Sequence, residues 1–159
     1  MKRRNRFPLL ATVVVLLGCS SLPTNPSAPR PPRTDCGPRA LLCVVEALGL
    51  KTELETLTAR AGTGSEGTEL LGLKRAAESL GLEATGVQLN QAALAQMTSP
   101  AVAWWGTDHY VAILSVHTLP WAERLDVTIH DPRDAGTKTL PASEVLAQSS
   151  GVFLVVKRK

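Results

Sequence analysis

The chain has 159 residues, of which 44% are hydrophobic and 19% charged, and this composition suits one globular domain of ordinary size. Its formal charge of +3 is unevenly spread, because six of the 17 Lys and Arg residues lie before residue 34 and all 14 Asp and Glu residues lie after it. Residues 34–159 therefore hold 11 basic and 14 acidic residues, a net charge of −3, and this excludes a domain that binds nucleic acid through a basic surface.

Residues 1–19 are predicted to be a lipoprotein signal peptide. A basic head is followed by an apolar run over residues 9–17, which is short for a membrane span but typical of a secretory signal. Gly18 directly before Cys19 resembles the lipobox of bacterial lipoproteins, which are cleaved before the cysteine and acylated on its sulfur. An ordinary signal peptide and a short uncleaved anchor are the alternatives.

Residues 20–33 are predicted to be a tether, since they contain five prolines and no aromatic residue. We therefore expect a domain in the cell envelope, outside the cytoplasm and anchored to a bacterial membrane through a lipid, such as palmitate, on Cys19. Ser20 after the cysteine resembles lipoproteins that are sorted to the outer membrane where there is one.

The elements of residues 34–159 are predicted to be helices first and strands second, an α+β class with an antiparallel sheet. Apolar periodicity predicts helices over residues 36–48 and 53–61, and a third that Thr68 caps and Gly81 ends. Apolar runs then predict strands over residues 83–88, 101–105, 109–116, 125–130 and 151–156, with short helices over 91–97 and 142–148 between them.

The cysteines on the first predicted helix are expected to be free thiols with different roles. Cys36 and Cys43 are seven residues apart, so their Cα atoms lie about 10 Å apart on a helix, which is beyond the reach of a disulfide. Cys43 lies among apolar residues and is predicted to be a small core residue. Cys36 begins the helix, where Pro38 is well tolerated and free amides stabilise a thiolate, so Cys36 is the candidate nucleophile.

A histidine and an aspartate complete the pattern of a cysteine nucleophile. His109 begins an apolar strand and Asp131 ends the strand that follows. If these strands are antiparallel neighbours, the start of one lies beside the end of the other. We expect one ring nitrogen of His109 to lie within about 4 Å of the Cys36 sulfur, as a general base. The other ring nitrogen of His109 should contact the Asp131 carboxylate, which would orient the ring.

Other polar and aromatic residues have structural explanations. His117 lies about 26 Å along the strand from His109, and His130 faces away from its neighbour Asp131, so both are predicted to be structural. The chain lacks the Cys and His residues that a zinc site requires, and no metal or cofactor is predicted. Of Trp104 and Trp105, one is expected in the core and the other along a substrate groove.

From about residue 34 to residue 156 the chain resembles peptidase family C39. The matching stretches are residues 35–37 (DCG), 67–70 (GTEL), 75–82, 101–104 (AVAW), 108–111 (DHYV) and 131–132 (DP). Members of this family are papain-like cysteine peptidases that process the double-glycine leader peptides of bacteriocins, usually as N-terminal domains of ABC exporters. The resemblance implies a papain-like fold over residues 34–159, with Cys36 as nucleophile, His109 as base and Asp131 as the orienting acid.

One position departs from the family pattern. Family members usually carry a glutamine about six residues before the cysteine as a donor in the oxyanion hole, whereas this chain has Arg30 there and no glutamine before Cys36. Loss of one such donor lowers the rate by about 10²–10³. The sequence also has no glycine-rich phosphate-binding loop, and a free-standing exported domain is expected.

These observations predict a membrane-anchored cysteine peptidase that cleaves peptide bonds, after glycine-rich leader sequences by analogy with the family. Its expected partners are a peptide substrate and, through the lipid, a membrane. One alternative is a catalytically weak C39-like domain that binds peptides in the cell envelope. Another is a different Cys/His hydrolase, such as an amidase of cell-wall peptides.

Overall fold

A six-stranded antiparallel sheet carries helices on both faces in the computed structural model, which describes residues 34–119, 124–134 and 136–159. The strand order is β1-β6-β2-β3-β4-β5. The elements in chain order are α1 Cys36–Ala47, α2 Leu54–Ala61, α3 Leu70–Ser79, β1 Leu82–Gln88, α4 Gln91–Ala95, β2 Ala101–Trp105, β3 His109–Leu119, β4 Arg124–His130, β5 Thr137–Pro141, α5 Ala142–Ser149 and β6 Val152–Arg158. The predicted α+β class is confirmed.

Two hydrophobic cores fill the space between the sheet and the helices, one on each face. Helices α1, α2 and α3 pack against one face, where Tyr110 and Ala112 of β3 are buried. Helices α4 and α5 pack against the other face, where Val111 and Ile113 of the same strand are buried. This alternation follows from the two-residue period of a strand, and it explains why β3 is apolar on both faces.

The helix boundaries agree with the sequence prediction to within two residues, but the cap of α3 differs. The N-cap of α3 is Glu69 in extended conformation, so the prediction that Thr68 caps this helix is wrong. The Thr68 hydroxyl hydrogen-bonds instead to the hydroxyl of Thr63 at 2.7 Å, across the loop between α2 and α3. The end of α3 is as predicted, since Gly81 follows its C-cap with a φ of +81°.

The sheet differs from the prediction mainly at its polar edge. Strand β5 was not expected, because Thr137–Pro141 is a mostly exposed edge strand with no apolar face to identify it. Strand β3 continues to Leu119, three residues beyond its predicted end, because β4 pairs with it along that length. The antiparallel pairing aligns Ala112 with His130, which brings the start of β3 beside the residue that follows β4.

The N-terminal predictions lie outside the described residues. These are the signal peptide over residues 1–19, with Cys19, and the tether over residues 20–33. The described residues group into one compact unit. Within the part of the chain that the structure describes, no helix is long and apolar enough to cross a bilayer.

Gly72 holds α3 close to α2, and this contact predicts a large effect on stability. A Cβ atom added at Gly72 would lie 2.1 Å from the carbonyl oxygen of Ala61, so one helix would have to move. We expect Gly72→Ala to lower the free energy of unfolding in urea by at least about 1–3 kcal/mol, the usual range for overpacking. Gly86→Ala is the matched control, because a Cβ atom there has nothing within 4 Å. Equal stability of the two variants would contradict the prediction.

Candidate active site

Cys36 is the first residue of α1 and is only 6% exposed. The preceding residue, Asp35, does not cap the helix with its side chain, because its Oδ2 accepts a 2.6 Å hydrogen bond from Arg39 Nε. The first amides of a helix have no intrahelical partner and can donate hydrogen bonds to groups that lie at the helix start. The structure thus confirms the predicted location of Cys36 at a helix N-terminus.

Gly37 allows this end of α1 to lie against β3 and α3. A Cβ atom added at Gly37 would lie 3.1 Å from Cδ2 of Tyr110 and 3.2 Å from Cδ2 of Leu73. These distances are shorter than ordinary van der Waals contacts, so with a larger residue the Tyr110 and Leu73 side chains, or α1 itself, would have to shift by a few tenths of an ångström. The close approach fixes the position of the neighbouring Cys36 relative to the start of β3.

His109 and Asp131 form a hydrogen-bonded pair, as the sequence predicted. The distance from His109 Nε2 to Asp131 Oδ1 is 2.6 Å, and the same oxygen accepts a 2.8 Å hydrogen bond from the backbone N–H of Arg133. His109 is 1% exposed and the Asp131 side chain 20% exposed. A carboxylate can only accept hydrogen bonds, so Nε2 of the neutral ring carries the proton and Nδ1 is left as the basic nitrogen.

The Nδ1 atom of His109 is buried and has no hydrogen-bond partner among the described residues. A thiol–imidazole hydrogen bond between Cys36 and His109 is therefore not formed in this structure, although the sequence analysis expected the sulfur near a ring nitrogen. Catalytic hydrogen bonds of unliganded enzymes are often long or poorly aligned. A buried nitrogen without a partner is rare, and Nδ1 is the ring atom that is left to accept a proton.

A cleft of about 350 Å³ opens beside Cys36. It lies between the loop before α3 and the turn between β2 and β3, and the residues that line it include Cys36, Glu66, Gly67, Trp104, Asp108 and Tyr110. Of the two tryptophans, Trp104 lines this cleft and Trp105 packs against the core on the α4 and α5 face. The sequence analysis left open which tryptophan lines a groove, and the structure assigns Trp104.

Tyr110 is the cleft residue that the sequence analysis did not single out. Its ring packs edge-on against Trp104, with centroids 4.7 Å apart and an interplanar angle of 76°. Burial raises the pKa of Tyr110 to about 12, and the negative charges of Cys36 and Glu69 add to this effect. The sequence offered no local signal for this position, because the two-residue period of β3 directs Tyr110 away from His109, the residue expected beside Cys36.

The remaining predicted residues are structural or lie apart from the cleft. His117 is exposed and hydrogen-bonds to the Ser115 hydroxyl at 2.9 Å, and His130 is a partly buried residue at the end of β4. Cys36 and Cys43 are both free, and Cys43 is half-buried against the core. In the described ranges no three His, Cys, Asp or Glu side chains converge in a way that could hold a metal ion.

The two thiols of α1 are expected to differ in reactivity. Burial raises the pKa of Cys43, and the nearby negative charge of Glu46 adds to this, so Cys43 remains a protonated thiol near neutral pH. Iodoacetamide at pH 7 should alkylate Cys36 at least about tenfold faster than Cys43, because the thiolate is the reactive form. The reactivity of Cys43 should appear only as the pH rises towards its raised pKa. Mass spectrometry of the digested protein measures each site, and equal rates would contradict the prediction.

The fold defines a class of protein: helices packed on a six-stranded antiparallel sheet, with a cysteine at a helix N-terminus and a His–Asp pair at the ends of two central strands, as in C39 peptidase domains. Residues 29–159 match the Peptidase C39 family, and the chain belongs to that family. This confirms the resemblance read from the sequence motifs.

Solved structures agree with this fold. The peptidase domain of Streptococcus ComA, a bifunctional ABC transporter involved in quorum sensing, superposes with a TM-score of 0.67 at 21% identity, covering 82% of this chain and 96% of that domain. A double-glycine motif protease from an AMS/PCAT transporter, solved with its leader peptide, gives a TM-score of 0.67 at 23% identity, covering 82% of this chain and 89% of that one.

Sequence relatives include proteins with and without an assigned role. An uncharacterized protein of Methanothermobacter thermautotrophicus is 34% identical over 123 residues, which are 77% of this chain and 82% of the relative. A second uncharacterized protein, from Methanothermobacter marburgensis, is 35% identical over 97 residues, 61% of this chain and 64% of the relative. The probable microcin-H47 secretion/processing protein MchF of Escherichia coli is 25% identical over 77% of this chain, but the match spans only 16% of MchF.

Proposed function

We propose that the protein is a cysteine peptidase in which Cys36 is the nucleophile, His109 the general base and Asp131 the residue that orients His109. The observation that carries this proposal is the 2.6 Å hydrogen bond from His109 Nε2 to Asp131 Oδ1, which leaves Nδ1 buried and without a partner among the described residues. Membership of the Peptidase C39 family supports the same assignment.

The proposed reaction begins when Nδ1 of His109 takes the proton of the Cys36 thiol. The thiolate attacks the carbonyl carbon of the scissile peptide bond, a C–S bond forms, and the carbonyl oxygen becomes an oxyanion. As the oxyanion collapses, the C–N bond breaks and the imidazolium gives its proton to the leaving amine. His109 then removes a proton from water, which hydrolyses the thioester and releases the acid and the free thiolate.

A double-glycine leader peptide is the proposed substrate class. The protease from the AMS/PCAT transporter, which shares this fold, was solved with a leader peptide. The cleft beside Cys36 has a volume of about 350 Å³, and Trp104 and Tyr110 form part of its wall. Glycine residues suit such a site because they let a peptide backbone approach the sulfur without side-chain clashes.

A second candidate function is peptide binding with little catalysis. The absence of a glutamine before Cys36 favours it, because Arg30 occupies the position of the usual oxyanion donor. In that case Cys36 and His109 would line a binding groove rather than turn over a substrate. The two functions differ in whether the bound peptide is cut.

The test is incubation of the purified chain with synthetic peptides that contain Gly-Gly, followed by mass spectrometry of the products. The peptidase proposal expects cleavage on the carboxyl side of Gly-Gly, and loss of cleavage after alkylation by iodoacetamide. Binding of the same peptides by calorimetry without any cleavage would favour the second function. A matched peptide with Ala-Ala in place of Gly-Gly controls for non-specific hydrolysis.

We also propose that the mature protein is anchored in the cell envelope through a lipid on Cys19. The basic head, the apolar run and Gly18-Cys19 support this, and residues 20–33 would act as the tether. Mass spectrometry of the mature N-terminus tests it: the expected chain begins at an acylated Cys19. A mature chain that begins elsewhere, without an acyl mass, would exclude the anchor.

A further inference from the structure

Tyr110 lies on the same face of the sheet as Cys36 and belongs to the same packed core. Its ring is 3.1 Å from the position of a Cβ atom on Gly37, the residue that follows Cys36. Both Cys36 and Tyr110 line the cleft of about 350 Å³. Tyr110 is therefore part of the wall of the cleft into which Cys36 opens.

Among the described residues the Tyr110 hydroxyl has no hydrogen-bond partner, although Tyr110 is only 3% exposed. The edge-on contact with Trp104 and the close contact with Gly37 hold the ring from two sides. Burial and the negative charges of Cys36 and Glu69 raise the pKa of Tyr110 to about 12, so the phenol keeps its proton at any physiological pH.

Attack of a thiolate on a carbonyl creates an oxyanion, and a pre-positioned donor next to that oxygen lowers the barrier. We infer that the Tyr110 hydroxyl donates a hydrogen bond to this oxyanion, which makes Tyr110 a further catalytic residue. The inference rests on the proposed function, because it requires Cys36 to attack a carbonyl group. It also explains how the site can work although no glutamine precedes Cys36 in the sequence.

The test compares two reactions of Cys36 that differ only in the oxyanion. In acylation by p-nitrophenyl acetate, the thiolate forms a C–S bond, a tetrahedral oxyanion appears, and p-nitrophenolate leaves. In alkylation by iodoacetamide, the thiolate displaces iodide directly, so no oxyanion forms. Both rates are measured on the full chain and on Tyr110→Phe, which keeps the ring and its packing but lacks the hydroxyl.

We expect Tyr110→Phe to slow the acylation of Cys36 by about 10²-fold, the usual effect of losing one oxyanion donor, and to leave the alkylation rate within about twofold. Unchanged rates in both reactions would overturn the inference. An equal loss in both would also overturn it, because Tyr110 would then act on the thiolate or on the fold. If Cys36→Ala reacts with both reagents as fast as the wild type does, Cys36 is not the reactive thiol. Both the proposed function and this inference would then be wrong.

A second measurement does not depend on the folding of Tyr110→Phe. Tyr110 is the sole tyrosine of the sequence, so the tyrosinate absorption band reports its ionisation directly. In the wild type the pKa should be raised to about 12, and in Cys36→Ala it should be lower, because the charge of the Cys36 thiolate is lost. An identical pKa in the two proteins would show that the phenol and the sulfur do not interact, which would overturn the inference.

Discussion

Replacement of Cys36 by alanine is expected to abolish peptide cleavage while the fold is retained. Without the sulfur no acyl-enzyme can form, and loss of a nucleophile in a catalytic triad typically lowers kcat by about 10⁶-fold. Residual hydrolysis should not exceed the background of buffer with peptide. The substitution removes one buried atom at the start of α1, so the circular dichroism spectrum should be unchanged. The measurement is cleavage of a Gly-Gly peptide, followed by chromatography.

Cys43→Ala is the matched control for this experiment. It removes the other thiol of α1, which packs against the core away from the cleft. We expect Cys43→Ala to keep its kcat within about twofold, because it lies outside the site. If Cys36→Ala still cleaves the peptide as the wild type does, Cys36 is not the nucleophile and the peptidase mechanism is wrong.

Asp131→Ala is expected to lower kcat by about 10²–10⁴-fold, with a smaller change in KM. Asp131 Oδ1 is the partner of His109 Nε2, and without it the imidazole loses the contact that holds its tautomer and orientation. Asp131→Asn should retain more activity than Asp131→Ala. The amide oxygen of asparagine can still accept the hydrogen bonds from His109 Nε2 and the backbone N–H of Arg133.

The control for Asp131 is Glu83→Ala, which removes one negative charge at the opposite edge of the sheet. Glu83 lies on β1 and forms an exposed ion pair with Lys157 at 3.1 Å, and such pairs contribute little to stability. Its kcat should match that of the wild type. If Asp131→Ala has the same kcat as Glu83→Ala, Asp131 does not orient the base, and the binding function becomes the better explanation.

Two residues with proposed roles, His109 and Tyr110, lie on opposite faces of strand β3. His109 and Tyr110 are consecutive residues at the start of β3, so their side chains leave the strand in opposite directions. His109 reaches Asp131, which follows the neighbouring strand β4, whereas Tyr110 packs with Cys36 under α1. The proposed proton transfer therefore requires Cys36 and His109 to meet around the end of the sheet where β3 begins, since the two side chains are not hydrogen-bonded in this structure.

Features that depend on neighbouring residues along the chain could be predicted from the sequence. Periodic apolar residues identified α1, α2 and α3, and the seven-residue spacing of Cys36 and Cys43 excluded a disulfide. The apolar run that His109 begins identified β3, and a short connection predicted its antiparallel pairing with β4. These features depend only on backbone geometry and on the polarity of side chains that are close together in the sequence.

Features that depend on how distant elements approach one another required the tertiary structure. Strand β5 has no apolar face, so only its pairing with β4 identifies it. Thr68 has the chemistry of a helix cap, but Thr63 lies close enough in space to take its hydroxyl as a partner.

The site shows the same division: Cys36, His109 and Asp131 were predicted from local features, whereas Tyr110 was missed because its role depends on a tertiary contact. The sequence by itself determined that Cys36 begins a helix, that His109 begins a strand and that Asp131 ends the next one, because each is a local boundary. Only the tertiary structure decided that Nε2 is the ring nitrogen that meets Asp131, and that Nδ1 remains without a partner. It also decided that Tyr110 lies beside Cys36, because that contact exists only where Gly37 lets α1 approach β3.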